Sequence, residues 1–132
     1  MIGYILDTDT LSLLAYGHPS VRLAVDARRP SELAITVISV EEQLTGWYTL
    51  LRQVRSAQDE ADVYLRLTST VRTLSDLQIV TYSVPAIERF GRLLAMKLNV
   101  GKKDLRIAAI ALEEGAVVVT RNERDFRRVP GL

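Results

Sequence analysis

The chain has 132 residues, 48% apolar and 25% charged, which is enough for one well-packed domain and too apolar for a disordered chain. Seventeen basic residues against sixteen acidic ones leave a net charge of +1, so affinity for a polyanion must come from local patches. The lack of cysteine excludes disulfides, thiolate nucleophiles and zinc–thiolate sites. No apolar run approaches the roughly 20 residues of a membrane span. Asp7 and Asp9 interrupt the first apolar stretch, and no basic leader precedes them. A soluble, cytoplasmic protein without membrane contact is expected.

In chain order, "IGYIL" (Ile2 to Leu6) is a short apolar run of the kind covered on both faces of a sheet. "TLSLLA" begins a first helix with Thr8 or Asp9 near its cap. Gly17 and Pro19 mark a break, and "SVRLAVDARR" reads as a short second helix ended by Pro30. "LAITVIS" (Leu33 to Ser39) is rich in β-branched residues and reads as a second strand. Val40, Leu44, Trp47, Leu51 and Val54 then form a helical stripe, followed by another at Val63, Leu67, Val71 and Leu74. The two predict a helical hairpin.

"LQIVTY" is a third strand. Pro85 suits the first turn of a helix whose apolar face is Ile87, Phe90, Leu94 and Leu98. "DLRIAAIALEEG" is a largely apolar helix stopped by Gly115, and "AVVVT" a fourth strand before a basic tail. Apolar strands alternating with helices predict a single α/β domain over residues 1–132, a three-layer α/β/α sandwich around a parallel sheet of four or five strands.

In such sheets ligands bind beyond the carboxyl ends of the strands. Asp7 directly follows the first strand, Glu41 and Glu42 follow the second, and Asn122 and Asp125 follow the fourth. Asp104 opens the helix that leads into the fourth strand. Each has an ordinary use. Asp104 suits a helix N-cap, although Ile107 stands where a capping box needs Glu or Gln. Glu41 and Glu42 favour a helix N-terminus, and Asp125 lies in a charged tail. The case for a site rests on convergence, because carboxylates crowded at low dielectric repel one another and call for a cation. Oxygen donors without cysteine or clustered histidine select a hard ion, Mg²⁺ or Mn²⁺. The single histidine, His18, sits in a turn and cannot build a serine-type triad alone.

"YILDTDTLS", "ISVEEQLTG" and "KKDLRIAAIALEEGAVVVTRNERDFRRVPGL" together resemble the PIN-domain nucleases, and within them the VapC-like toxins of bacterial toxin–antitoxin pairs. The resemblance runs from Ile5 to Leu132. Its most specific part is D-x-x-I-A-A-x-A followed by G-x-x-x-V-T-x-N-x-x-D-F. It implies that Asp7, Glu42 and Asp104 are the catalytic, metal-holding acids. Glu42 rather than Glu41 is chosen because Gly46 completes E-x-x-x-G. Thr8, Thr120, Asn122 and Asp125 would support them, Asn122 standing where Asp or Asn is usual, and Asp9 would only cap the first helix.

The implied activity is Mg²⁺- or Mn²⁺-dependent hydrolysis of RNA phosphodiester bonds, with Lys102, Lys103, Arg121 and Arg124 on the RNA backbone. The implied partners are a cognate antitoxin and a second copy of the chain, with Tyr48 and Leu50 in the dimer interface. A short chain without further domains fits a stand-alone toxin. Two rivals remain. A catalytically degenerate PIN domain would act as a binding module, which Asn122 favours. A haloacid-dehalogenase-like phosphatase also ends its first strand in Asp-x-Asp, but it needs threonine four residues after the first Asp. Here Thr10 comes after three, and Leu11 takes the fourth place.

Overall fold

A computed structural model describes residues 1–132. Four strands, β1 (Tyr4–Leu6), β2 (Leu33–Thr36), β3 (Gln78–Val80) and β4 (Val117–Val119), form one parallel sheet in the order β3-β2-β1-β4. Seven helices connect and cover it: α1 (Thr8–Ala15), α2 (Pro19–Asp26), α3 (Val37–Leu51), α4 (Ala57–Ser75), α5 (Val84–Ala95), α6 (Lys102–Glu114) and α7 (Glu123–Phe126). The expected three-layer α/β/α sandwich is observed, with four strands rather than five.

Strand alternation sorts the core into two layers. Ile5 and Ala34 point to one side and meet Ala86, Leu93, the α6 residues Leu105 and Ile107 to Ala111, and Phe126. Leu6 and Ile35 point to the other side and meet Leu11, Leu14 and Leu74, with Val21 and Val25 of α2 packed against them. In α6, Ile107, Ala108, Ala109 and Ala111 are fully buried, and the run of alanines lets neighbouring helices approach closely. Gly115 ends α6 in the left-handed region (φ 65°), where an L side chain would be strained.

The second strand stops at Thr36, three residues before the expected end. The Thr36 hydroxyl accepts the Ser39 amide and caps α3, so the cap overrides the β preference of Val37 and Ile38. The hairpin of α3 and α4 forms as expected, but its interior face carries Thr70 while Val71 is exposed. Trp47 Nε1 donates to Thr70 Oγ1 at 2.7 Å, which explains a polar residue on that seam. In α5 the buried positions are Ala86 and Leu93, with Phe90 packed beside them. Ile87 and Leu94 face out, and Leu98 lies beyond the helix end. The small size of Ala86 hid the true phase of that face.

Replacing Thr70 with valine keeps the shape but leaves the half-buried indole N–H without a partner. A loss of about 1–2 kcal/mol is expected, read as a lower urea midpoint at unchanged slope.

Candidate active site

β1 delivers Asp7 to the carboxyl edge of the sheet, where its side chain is 3% exposed. Asp7, not Thr8 or Asp9, is the N-cap of α1: its Oδ1 accepts the Thr10 amide at 2.9 Å. Its Oδ2 accepts the hydroxyl of Thr120, which follows β4. Both oxygens of the carboxylate are therefore held by donors from two different elements. Asp9 occupies the first turn of α1 and is exposed, so the cap expected of it belongs to its neighbour.

Glu41 and Glu42 lie in the second turn of α3 and diverge by about 100°, the helical step. Glu42 turns toward β1 and accepts the Thr8 hydroxyl at 2.8 Å; the same hydroxyl lies 2.9 Å from Ser39 Oγ. Glu41 turns to the rim and pairs with Lys103 at 2.8 Å, and this hydrogen bond and charge hold its carboxyl below the usual range. Geometry thus separates two glutamates that helical periodicity left undistinguished.

Asp104 is the third residue of α6, whose N-cap is Gly101; it caps nothing. Its half-buried carboxyl has no hydrogen-bond partner among the chain's side chains and is pushed up to about 6. Desolvation contributes most, followed by the charges of Asp7, Glu42, Asp9 and Asp125. Asn122 donates from Nδ2 to Asp125 Oδ2 at 2.9 Å, its amide is held by Thr120 Oγ1, and Arg128 closes on Asp125 Oδ1 at 3.2 Å. Asp125 is thus partly neutralised, whereas Asp104 is not.

No three carboxylates close around a single point at ligating distance. The hydrogen bonds to Thr10, Thr120 and Thr8 hold Asp7 and Glu42 at their own positions. The donor set still fits a hard divalent cation: oxygen atoms only, crowded negative charge, and one carboxyl lifted by burial and that crowding with no basic side chain bound to it. Of the expected basic contacts, Lys103 is bound to Glu41, while Lys102, Arg121 and Arg124 are exposed and outside the chain's five ion pairs. His18 accepts the Val21 amide as the cap of α2 and stands apart from the acids. Sequence reasoning missed Ser39, buried beneath Thr8, and nothing in its spacing marked it.

A parallel sheet with buried and half-buried acids gathered at its carboxyl edge defines a class of acid-centred α/β proteins. The PIN-domain family model matches residues 4–132, and the chain belongs to that family. It is 29% identical over 136 residues to ribonuclease VapC2 of Rickettsia felis, an alignment covering 98% of this chain and 93% of that protein. Among solved structures it resembles VapBC2 from Rickettsia felis bound to a DNA fragment from its promoter. The TM-score is 0.79 at 27% identity, covering 100% of this chain and 96% of that one. DNA-bound VapBC from Salmonella typhimurium gives the same score and coverage at 26% identity. A toxin–antitoxin complex from Klebsiella pneumoniae matches with TM-score 0.73 at 26% identity, over 98% of this chain and 94% of that one.

The raised Asp104 carboxyl carries a stability cost with a definite sign. Between its ordinary value of 3.8 and about 6, the folded state binds more protons than the unfolded one, so stability falls across that window and stays lowered above it. Allowing for the screening of a half-exposed group, Asp104→Asn should gain about 1 kcal/mol at pH 7.5 in EDTA. That is a rise in Tm of about 3 °C. The gain should vanish near pH 4, and thermal melts across pH 4–8 measure it.

Proposed function

We propose that this chain is the ribonuclease toxin of a toxin–antitoxin pair, hydrolysing RNA phosphodiester bonds with Mg²⁺ or Mn²⁺ held by Asp7, Glu42 and Asp104. The observation that carries the reading is the unpaired Asp104 carboxyl at the carboxyl edge of a PIN fold, lifted to about 6 by burial and by four neighbouring acids. A divalent cation bound there supplies the charge that activates water and offsets the negative charge developing on the phosphate oxygens.

The chain's own residues fix the geometry. Thr10 and Thr120 hold Asp7 from two sides, and Thr8 aims Glu42. Lys102, Arg121 and Arg124 are free to engage the RNA backbone. Water adds to phosphorus and the bridging oxygen leaves with a proton, giving one phosphomonoester end and one hydroxyl end. No protein nucleophile is needed.

Antitoxin pairing is supported by the VapBC complexes among the similar structures. Self-association is supported by Tyr48 and Leu50 on α3, 48% and 41% exposed. The cytoplasm is the compartment proposed, and no helix is long and apolar enough to cross a membrane. The phosphatase reading loses its footing because Leu11 is buried in the core, leaving no hydroxyl at that position.

Labelled single-stranded RNA incubated with the protein and Mn²⁺ should be cut, and EDTA should stop it. Asp7→Asn should reduce the rate by roughly 100-fold or more, and Thr120→Val by roughly 10–100-fold as an outer partner. Cleavage that persists in EDTA and in Asp7→Asn would sink this reading. Asn122→Ala and Asp125→Asn, assayed in parallel, assign the fourth contact. Absence of Mn²⁺ binding at millimolar ion would instead favour the degenerate binding module.

A further inference from the structure

Beneath α2 lies a cavity of about 420 Å³ that the acid centre does not use. Its floor is the α2-facing side of β1, β2 and β4, running from the register pair Leu6–Val119 to Tyr4–Leu33. Val21, Ala24 and Val25 roof it from α2, a helix that buries none of its own residues. Leu6 and Leu33 are buried at its base, while Tyr4, Val21, Val25 and Val119 stay partly exposed along it. The charge on the lining is also one-sided: Arg28 and Arg121 line the cavity, no carboxylate does, and neither arginine joins an ion pair.

Arg28 is held in place. Its Nη1 donates to the Tyr4 hydroxyl at 2.9 Å, and its guanidinium lies 4.6 Å from the Tyr4 ring centroid. The remaining N–H groups are free to donate. The other end of the cavity adjoins the acid centre through two residues. Thr10 lines the cavity and its amide binds Asp7, and Arg121 directly follows Thr120, which binds the other Asp7 oxygen. An apolar slot with fixed donors at one end, a free cation at the other and a phosphodiester-cleaving centre at its mouth suits a flat base carrying a phosphate.

We propose that this cavity receives a base of the RNA strand next to the bond that is cut, and that the base is guanine. Arg121 takes the attached phosphate at the mouth. Arg28 donates to the base edge, where guanine alone offers the O6 and N7 acceptor pair that matches a guanidinium fork. The inference rests on the ribonuclease reading above and adds a specificity pocket to it.

The test uses the whole chain in EDTA, so that binding is read without turnover. GMP, AMP, CMP and UMP are titrated separately while backbone amide resonances are followed. GMP should shift Val21, Ala24 and Val119, with affinity about tenfold above that of the other three nucleotides. Ala24→Phe fills the slot and should abolish those shifts. With Mn²⁺ it should also flatten the preference for G beside the cut and raise KM about tenfold. Arg28→Gln leaves the slot open and should erase only the advantage of GMP, which keeps the test decisive if Ala24→Phe misfolds.

No shift at these residues with millimolar GMP overturns the inference. So does an Ala24→Phe protein that folds and cuts RNA with unchanged KM and preference. An acidic peptide that shifts the same residues where GMP does not would assign the cavity to a protein partner and overturn it as well. GMP binding in a protein that never cuts RNA would support the pocket and overturn the ribonuclease reading.

Discussion

The carboxyl edge of the sheet is organised around the Asp7 carboxylate. It is almost fully buried, ends β1, caps α1 and takes a hydroxyl from the end of β4, and no cation of the chain lies within ion-pair distance. A buried charge is tolerated only where donors replace its water. Here the donors are the Thr10 amide, the Thr120 hydroxyl and the favourable end of the α1 dipole. These donors also fix where every neighbour sits. Thr8 follows Asp7 directly, so the turn that lets Asp7 cap the helix also presents the Thr8 hydroxyl to Glu42.

Around that centre, charge is sorted by helical geometry rather than by composition. α3 carries Glu41 and Glu42 side by side and α6 Lys103 and Asp104, and a step of about 100° sends each pair in two directions. Glu41 and Lys103 meet at the rim and neutralise one another, while Glu42 and Asp104 turn inward without a cation. A chain of net charge +1 thus gathers Asp7, Glu42 and Asp104 outside any ion pair at one edge. Burial lifts Asp104 most, and an arginine or lysine beside it would relieve the further lift from neighbouring acids. No such side chain reaches hydrogen-bonding range of Asp104, so its carboxyl stays without a counter-charge.

The layers of the fold were legible because each strand is an apolar run and each covering helix carries a stripe. The strand parities of Ile5–Leu6 and Ala34–Ile35 assign the two layers almost by themselves. Helix phases were less legible where small or polar residues fill interior positions. Ala86 and Thr70 lack the large apolar side chains that mark a stripe, so periodicity selects Ile87 and Val71 instead. At the edge of the sheet, Asp7 and Asp104 were found from their places relative to the strands. The preference for Glu42 over Glu41 came only from likeness to a family, since the Lys103 contact that separates them joins residues 62 positions apart. That Asp7 rather than Asp9 caps α1 is hidden for a similar reason. Capping depends on the backbone angle at one residue, and Asp7 adopts the extended value (ψ 174°) that frees its side chain to turn back on the helix.

Two kinds of positioning coexist in this molecule, and each suits what it holds. Asp104 sits on α6, the most deeply packed helix, and Asp7 is tied to three elements, so the acids are placed by the core itself. Geometry of that kind keeps a group of carboxyls at fixed separations. Lys102, Arg121 and Arg124 are exposed and unpaired on long, flexible stems, which suits contacts to a repeating phosphate backbone that carry no sequence information. Arg28 belongs to neither group: it is a surface arginine pinned by the Tyr4 ring and hydroxyl above an acid-free cavity. Holding a guanidinium that firmly costs side-chain entropy, which a general backbone contact would not require but recognition of one base edge would.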